Sequence, residues 1–120
     1  MSDATAWPVD LHFRKADRIL TVTFDDGSAF KLPAEYLRVE SPSAEVQGHG
    51  AATKVIVAGK RNVSIQKIEP IGRYAVRLVF DDGHDTGLFA WSYLQTLDAE
   101  RDKRWAEYLS SLAQKGLSRG

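Results

Sequence analysis

The sequence predicts an α+β fold: a mainly antiparallel sheet of about six strands built from two repeated hairpins, one short helix after the first hairpin and a long C-terminal helix. Three observations carry this. Phe24-Asp25-Asp26-Gly27-Ser28 is echoed by Phe80-Asp81-Asp82-Gly83-His84. An alternating run leads into each phrase, Ile19-Leu20-Thr21-Val22-Thr23 and Tyr74-Ala75-Val76-Arg77-Leu78-Val79, and a Tyr-Leu pair follows each, Tyr36-Leu37 and Tyr93-Leu94. From residue 90 to residue 115 neither Pro nor Gly occurs.

Taken in order, residues 10–14 form a first strand ahead of the first hairpin. Asp-Gly between apolar runs marks a tight turn, because the turn needs a positive φ that glycine adopts without a Cβ clash. Residues 18–24 therefore pair with 28–32, and residues 73–80 with 85–89. Pro33 can open a helix, since its missing N–H falls where a helix has no acceptor to lose, so 33–38 is a short helix. Residues 40–59 are mostly irregular, broken by Ser41-Pro42-Ser43 and Gly48-His49-Gly50, with a short strand possible at 54–57. A strand at 63–69 alternates Val63 and Ile65 ahead of the second hairpin.

In the last segment Leu94, Leu97, Trp105, Tyr108 and Leu112 fall on one side of a helix. The charged stretch 98–104 breaks that stripe at Arg101, so the helix is interrupted there or projects beyond the sheet. Leu37, Val76, Leu78 and Leu94 are expected in the core. Residues 9–115 make one domain, with 1–8 and 116–120 as flexible tails.

Composition narrows the function. Hydrophobic residues are 43% and charged residues 27%, which is ordinary for a globular domain and argues against disorder. Sixteen basic and sixteen acidic residues cancel, so no overall field gathers a polyanion and nucleic acid is not an expected partner. Lys54, Lys60, Arg61 and Lys67 read as solvated strand faces. The absence of cysteine removes disulfides, thiolate metal ligands and cysteine nucleophiles. No leader pattern opens the sequence and no run suits a membrane span, so a cytoplasmic setting without membrane contact is expected.

The chemistry-bearing residues are few. Asp81, Asp82, His84 and Asp85 put three carboxylates and an imidazole within a short stretch, the raw material of a metal site. Turn chemistry already explains Asp-Gly, and neighbouring side chains around a hairpin turn face apart. His49, between two glycines, is a loop histidine, and His12 is a surface strand position with no assigned role. Ser41, Ser43, Ser64 and Ser110 lack a nucleophile-elbow context, and Gly48-His49-Gly50 lacks the Lys-Ser or Lys-Thr of a phosphate loop. Phe89, Trp91, Tyr93, Trp105 and Tyr108 read first as core and second as a docking surface.

Several longer phrases occur in order: Leu32-Pro-Ala-Glu-Tyr-Leu-Arg38 running into Ser41-Pro-Ser-Ala-Glu-Val46, Ile68-Glu-Pro-Ile-Gly-Arg-Tyr-Ala-Val76, and Phe80-Asp-Asp-Gly-His-Asp-Thr-Gly-Leu-Phe-Ala-Trp-Ser-Tyr-Leu94. With Phe24-Asp-Asp-Gly-Ser they make the chain resemble the DUF971 family, also called the gamma-butyrobetaine hydroxylase-like N-terminal domain, from about Val9 to Leu112. In gamma-butyrobetaine hydroxylase the corresponding domain looks like a zinc module with a Cys-x-Cys-x-x-Cys run and a histidine. Those positions are Ser41, Ser43, Val46 and His84 here, so the resemblance implies the fold and argues against the zinc. The oxygenase activity of that enzyme belongs to a separate catalytic domain and does not carry over. Related domains fused to an iron–sulfur carrier protein imply an accessory role near metalloprotein assembly, which is analogy of fold only.

The expectation is a non-catalytic binding or adaptor domain without a cofactor. It docks on an unidentified protein partner, a metalloprotein or iron–sulfur assembly factor being one option, through the 41–50 loop and the His84 turn. The candidate surface is Ser41, Ser43, His49, Asp82, His84 and Asp85. The alternative is a metal-binding accessory factor in which His84 and His49 converge with Asp82 or Asp85.

Overall fold

Alternation of burial along the strands follows the alternation of apolar residues, which is what a sheet with one covered face requires. The computed structural model describes residues 8–42 and 56–120. Its order is β1 (Pro8–Arg14), β2 (Ile19–Phe24), β3 (Ala29–Pro33), α1 (Ala34–Val39), β4 (Ile65–Ile71), β5 (Ala75–Phe80), β6 (Leu88–Ala90), α2 (Trp91–Ala99) and α3 (Arg101–Gln114). The six strands divide into two antiparallel three-stranded sheets, β1-β2-β3 and β4-β5-β6, instead of one continuous sheet. The buried faces of both meet in one core. Leu20, Val22 and Phe24 from β2, Val76, Leu78 and Phe80 from β5, and Leu37, Leu94 and Leu97 from the helices are each at most 2% exposed.

The fold is an internal repeat of three strands and a helix. In both halves a register irregularity lies opposite the end of the central strand, between Pro8 and Asp10 against Phe24 and between Ile65 and Lys67 against Phe80. Each helix leaves its last strand through an extended residue, Pro33 at φ −66°, ψ 145° and Ala90 at φ −63°, ψ 150°. Each ends on a glutamate, Glu40 at φ −103°, ψ 14° and Glu100 at φ −106°, ψ 17°. The two tyrosines of the repeated Tyr-Leu pairs clasp the opposite helices: Tyr36 Oη donates to the carbonyl of Leu97 at 2.7 Å, and Tyr93 Oη donates to that of Glu40 at 2.6 Å. Both bonds use carbonyls that helix ends leave without an intrahelical donor.

Three details differ from the sequence expectation, and the interruption expected near Arg101 in the long helix is found at Glu100. The second hairpin closes with the same tight turn, but β5 pairs β6 only over Arg77↔Leu88, Val76↔Phe89 and Ala75↔Ala90, and residues 84–87 belong to no strand although the His84 and Gly87 carbonyls accept from the Phe80 and Leu78 N–H groups. The long helix is two helices that meet at Glu100. The break lets α2 hold Leu94 and Leu97 in the main core while α3 turns Tyr108 and Leu112 onto Val39 and Ile56–Ala58. Of the strand expected at 54–57, residues 54 and 55 lie outside the described residues, and Ile56 and Val57 belong to no strand. Residues 116–120, expected to be flexible, pack along the chain: the N–H groups of Gly59 and Arg61 donate to the carbonyls of Ser118 and Arg119 at 3.0 and 2.8 Å.

Candidate functional site

The site grows from a gap in the second repeat. Leu32 pairs with Leu20 and Phe89 with Val76, so Phe30 and Gly87, two residues earlier, hold corresponding places. Phe30 stacks on Phe24 with ring centroids 5.4 Å apart. Gly87 offers no side chain, and the space goes to Ser41, the second residue beyond α1, which is 2% exposed. A Cβ at position 87 would collide with Ser41 Oγ.

In that space Ser41 Oγ lies 2.9 Å from His84 Nε2, and the imidazole leans on Phe80 at 6.0 Å between ring centres. The approach to Ser41 is held from three sides. Arg104 of α3 donates to Glu40 Oε1 at 2.7 Å, Tyr93 of α2 binds the Glu40 carbonyl, and Arg104 also pairs with Glu100 at 2.8 Å. Burial pushes the Tyr36 and Tyr93 phenols above their ordinary range, so both remain neutral donors.

The turn itself is clamped. Gly83 has φ 92°, its N–H reaches the Phe80 carbonyl at 3.3 Å, and the Phe80 N–H reaches that of His84 at 2.9 Å. Asp82 Oδ1 accepts from the His84 N–H at 3.1 Å, which is ordinary turn chemistry. Asp82 Oδ2 then accepts from Arg38 Nε at 2.8 Å and meets Lys60 Nζ at 2.6 Å. Although the residue lies at an exposed turn apex, its side chain is only 17% exposed. Burial pushes its carboxyl up, but the bonds from Lys60, the His84 N–H and Arg38 outweigh that and hold it at about 2.

The sequence candidates therefore part company. Ser41, Asp82 and His84 come together. Asp85 faces Arg77, with its carboxylate 4.0 Å from Nη1 and 54% exposed. Asp81 accepts the Ser64 N–H at 3.0 Å. Ser43, Val46 and His49 lie outside the described residues, and His12 is exposed on β1. Among the aromatic set, Phe89 is fully buried and Tyr108 nearly so, while Trp91 and Trp105 are partly covered. Arg38, Glu40 and Arg104, which build the surroundings, were not singled out from the sequence, and Lys60, read there as a solvated strand face, lies outside any strand and pairs with Asp82. Only the charged character of 98–104 hinted at Arg104.

The chemistry of this corner is polar contact, not acyl transfer, since a hydroxyl 2% exposed cannot be reached by an ester or amide. Zinc does not fit either. A serine hydroxyl is a poor ligand, the facing imidazole nitrogen is hydrogen-bonded to it, and the Asp82 carboxylate is committed to two cations. Among the described residues no three His, Cys, Asp or Glu side chains form a metal-holding group. No described helix is long and apolar enough to cross a membrane.

Against known proteins, the model of the family described as gamma-butyrobetaine hydroxylase-like, N-terminal, matches residues 11–95. A protein solved by NMR in solution is 48% identical with a TM-score of 0.81, over 97% of this chain and 91% of that one. A second NMR solution structure is 45% identical with a TM-score of 0.84, over 99% of this chain and 89% of that one. A crystal structure of a protein of unknown function in the DUF971 family, from Acidithiobacillus ferrooxidans, is 41% identical with a TM-score of 0.66, over 78% of this chain and 94% of that one. No curated protein matches.

Proposed function

The chain belongs to the gamma-butyrobetaine hydroxylase-like N-terminal family, also called DUF971, and from that premise we propose that it is a non-catalytic binding domain that docks on a protein partner through the His84 turn, which the buried Ser41 supports from beneath. The observation that carries the reading is the Ser41–His84 contact on a turn clamped through Asp82 by Arg38 and Lys60. A partner meeting such a corner has little ordering left to impose, which lowers the entropic cost of association. Loops held by a rigid scaffold are where binding residues concentrate. A cytoplasmic partner suits a cysteine-free chain, and metalloprotein assembly is the setting suggested by the family's fusions.

The test uses the full chain, without a histidine tag, as bait in an extract of its own cell. His84→Ala is expected to melt within about 1 kcal/mol of the parent, because the ring is only half-buried at a turn, yet to lose the partner that the parent retains. Equal capture by the folded variant sinks the reading. The same sample is expected to carry no stoichiometric metal, with EDTA leaving its melting temperature unchanged. A fall of several degrees on chelation would favour the metal-binding alternative instead.

A further inference from the structure

Between α1 and α3 lies a groove of ≈ 560 Å³ lined by Pro33, Glu35, Tyr36, Trp105, Leu109 and Arg119, among others. Glu35, in the first turn of α1, is a buried carboxylate, its side chain 7% exposed. Both of its oxygens are engaged by one guanidinium: Arg119 Nε donates to Oε2 at 2.8 Å and Nη2 to Oε1 at 2.7 Å. The same guanidinium lies over the Trp105 ring, its Cζ 5.2 Å from the centroid. Trp105 is itself set edge-on to Tyr36 at 6.2 Å and against Tyr108 at 5.1 Å, which fixes the indole. A buried carboxylate presented in the plane of a fork and an aromatic face set beside it select guanidinium over ammonium.

We propose that this groove is an arginine-recognition site, filled in cis by Arg119, that accepts an arginine flanked by an apolar residue on a segment of a protein partner. Its recognition groups, Glu35 and Trp105, are not those of the Ser41–His84 contact, although the Gly59 and Arg61 backbone that holds the Arg119 segment flanks Lys60, which clamps Asp82. Three features distinguish the occupant from a fixed part of the core. Arg119 is 34% exposed even when seated, whereas the carboxylate beneath it is buried. Its segment leaves α3 through Gly116 at φ 68°, and Leu117 is 44% exposed. Beyond Leu117, whose N–H donates to the Leu112 carbonyl at 2.9 Å, its backbone is bonded to the rest of the chain through the Ser118 and Arg119 carbonyls, which accept from Gly59 and Arg61. Leu109, 39% exposed at the groove wall, supplies the apolar contact that the flanking residue would cover. A buried carboxylate stripped of its cation is strongly disfavoured, so the site is expected to exchange one arginine for another and not to stand empty.

The probe is the acetylated, amidated pentapeptide Gly-Leu-Ser-Arg-Gly, titrated into isotopically labelled full-length protein while the Trp105 indole N–H and the α1 amides are followed by NMR. A tethered arginine competes at an effective concentration on the order of millimolar, so Arg119→Ala is expected to bind the peptide at least about tenfold more tightly than the parent. A peptide with lysine in place of arginine is expected to bind about tenfold more weakly, because it cannot form the fork. Adding Glu35→Gln to Arg119→Ala is expected to abolish the shifts. If Arg119→Ala does not give a dispersed spectrum, Arg119→Lys keeps a cation on Glu35 and carries the same comparison. Equal binding by parent and Arg119 variant, equal binding of the lysine peptide, or shifts away from Trp105 and α1 would each overturn the proposal. Concentration-dependent dimerisation of the parent that disappears in Arg119→Ala would overturn it in favour of exchange between two copies of this chain.

Discussion

The two repeats share a backbone and differ in what surrounds their turns. In the first, Asp26 accepts within its own loop, from the Ser28 hydroxyl at 2.6 Å and the Ser28 N–H at 2.9 Å, and these bonds lower its carboxyl. In the second, the same position binds its loop through one oxygen and reaches out with the other to Arg38 and Lys60, 44 and 22 residues away along the chain. One copy is turn chemistry alone. The other uses the turn as a fixed post between distant segments, and the half that gained this post also exchanged the Phe30 position for Gly87 and admitted Ser41. The repeated backbone supplies the scaffold, and the local contacts supply the difference.

If the halves are equivalent in the core, the largest effects should be matched. Phe24→Ala and Phe80→Ala remove rings that are 2% and 1% exposed, and each is expected to cost about 3 to 5 kcal/mol in denaturant unfolding. A cost for one several-fold below the other would break the symmetry of the shared core. Next come the turn glycines, Gly27 at φ 88° and Gly83 at φ 92°, with open space around both positions. Each Gly→Ala change meets backbone strain only and is expected to cost roughly 1 kcal/mol or slightly more. Neutral behaviour of both would remove the turn assignment.

The smallest effect is the one that separates the halves. Asn keeps one acceptor oxygen for the contacts of Asp82, so Asp82→Asn is expected to cost about 1 kcal/mol, while Asp26→Asn, at an exposed turn, should barely move the melting curve. The acid limb gives an independent reading. The Asp82 carboxyl sits at about 2 when folded, below its ordinary 3.8, so its contribution is complete above pH 3.8 and fades as the pH falls from there toward 2. Asp82→Asn should flatten that part of the stability profile. An unchanged profile would mean that Arg38 and Lys60 do not hold the turn.

The repeat was legible because its signals are local: a Gly that needs positive φ, alternating apolar residues, and a Tyr-Leu pair nine or ten residues after each turn glycine. Leu37, Val76, Leu78 and Leu94 followed from the same periodicity and are all fully buried. The split into two sheets was not legible, since periodicity assigns strands to faces without saying which strands become neighbours. At the site, the meeting of Ser41 with His84 followed from the family resemblance. The clamp of Arg38 and Lys60 and the seat of Arg119 on Glu35 did not. Those pairs join residues 22 to 84 positions apart, and a charged residue looks the same in sequence whether it is solvated or buried against a partner.

The absence of a side chain at position 87 also sets an order in which this corner can change over generations. Any Cβ there strikes Ser41 Oγ, so a side chain at 87 arriving first must push that hydroxyl out of its place facing His84. Ser41→Ala arriving first removes the colliding atom and leaves a residue that folds. A later Gly87→Ala then meets only the Ser41 Cβ position at 3.5 Å and the Phe89 ring at 3.1 Å, a misfit of a few tenths of an ångström. The route away from this corner therefore has an order: the hydroxyl facing His84 must leave its place before the gap that admits it can close. The route back is likewise blocked until glycine is restored at 87.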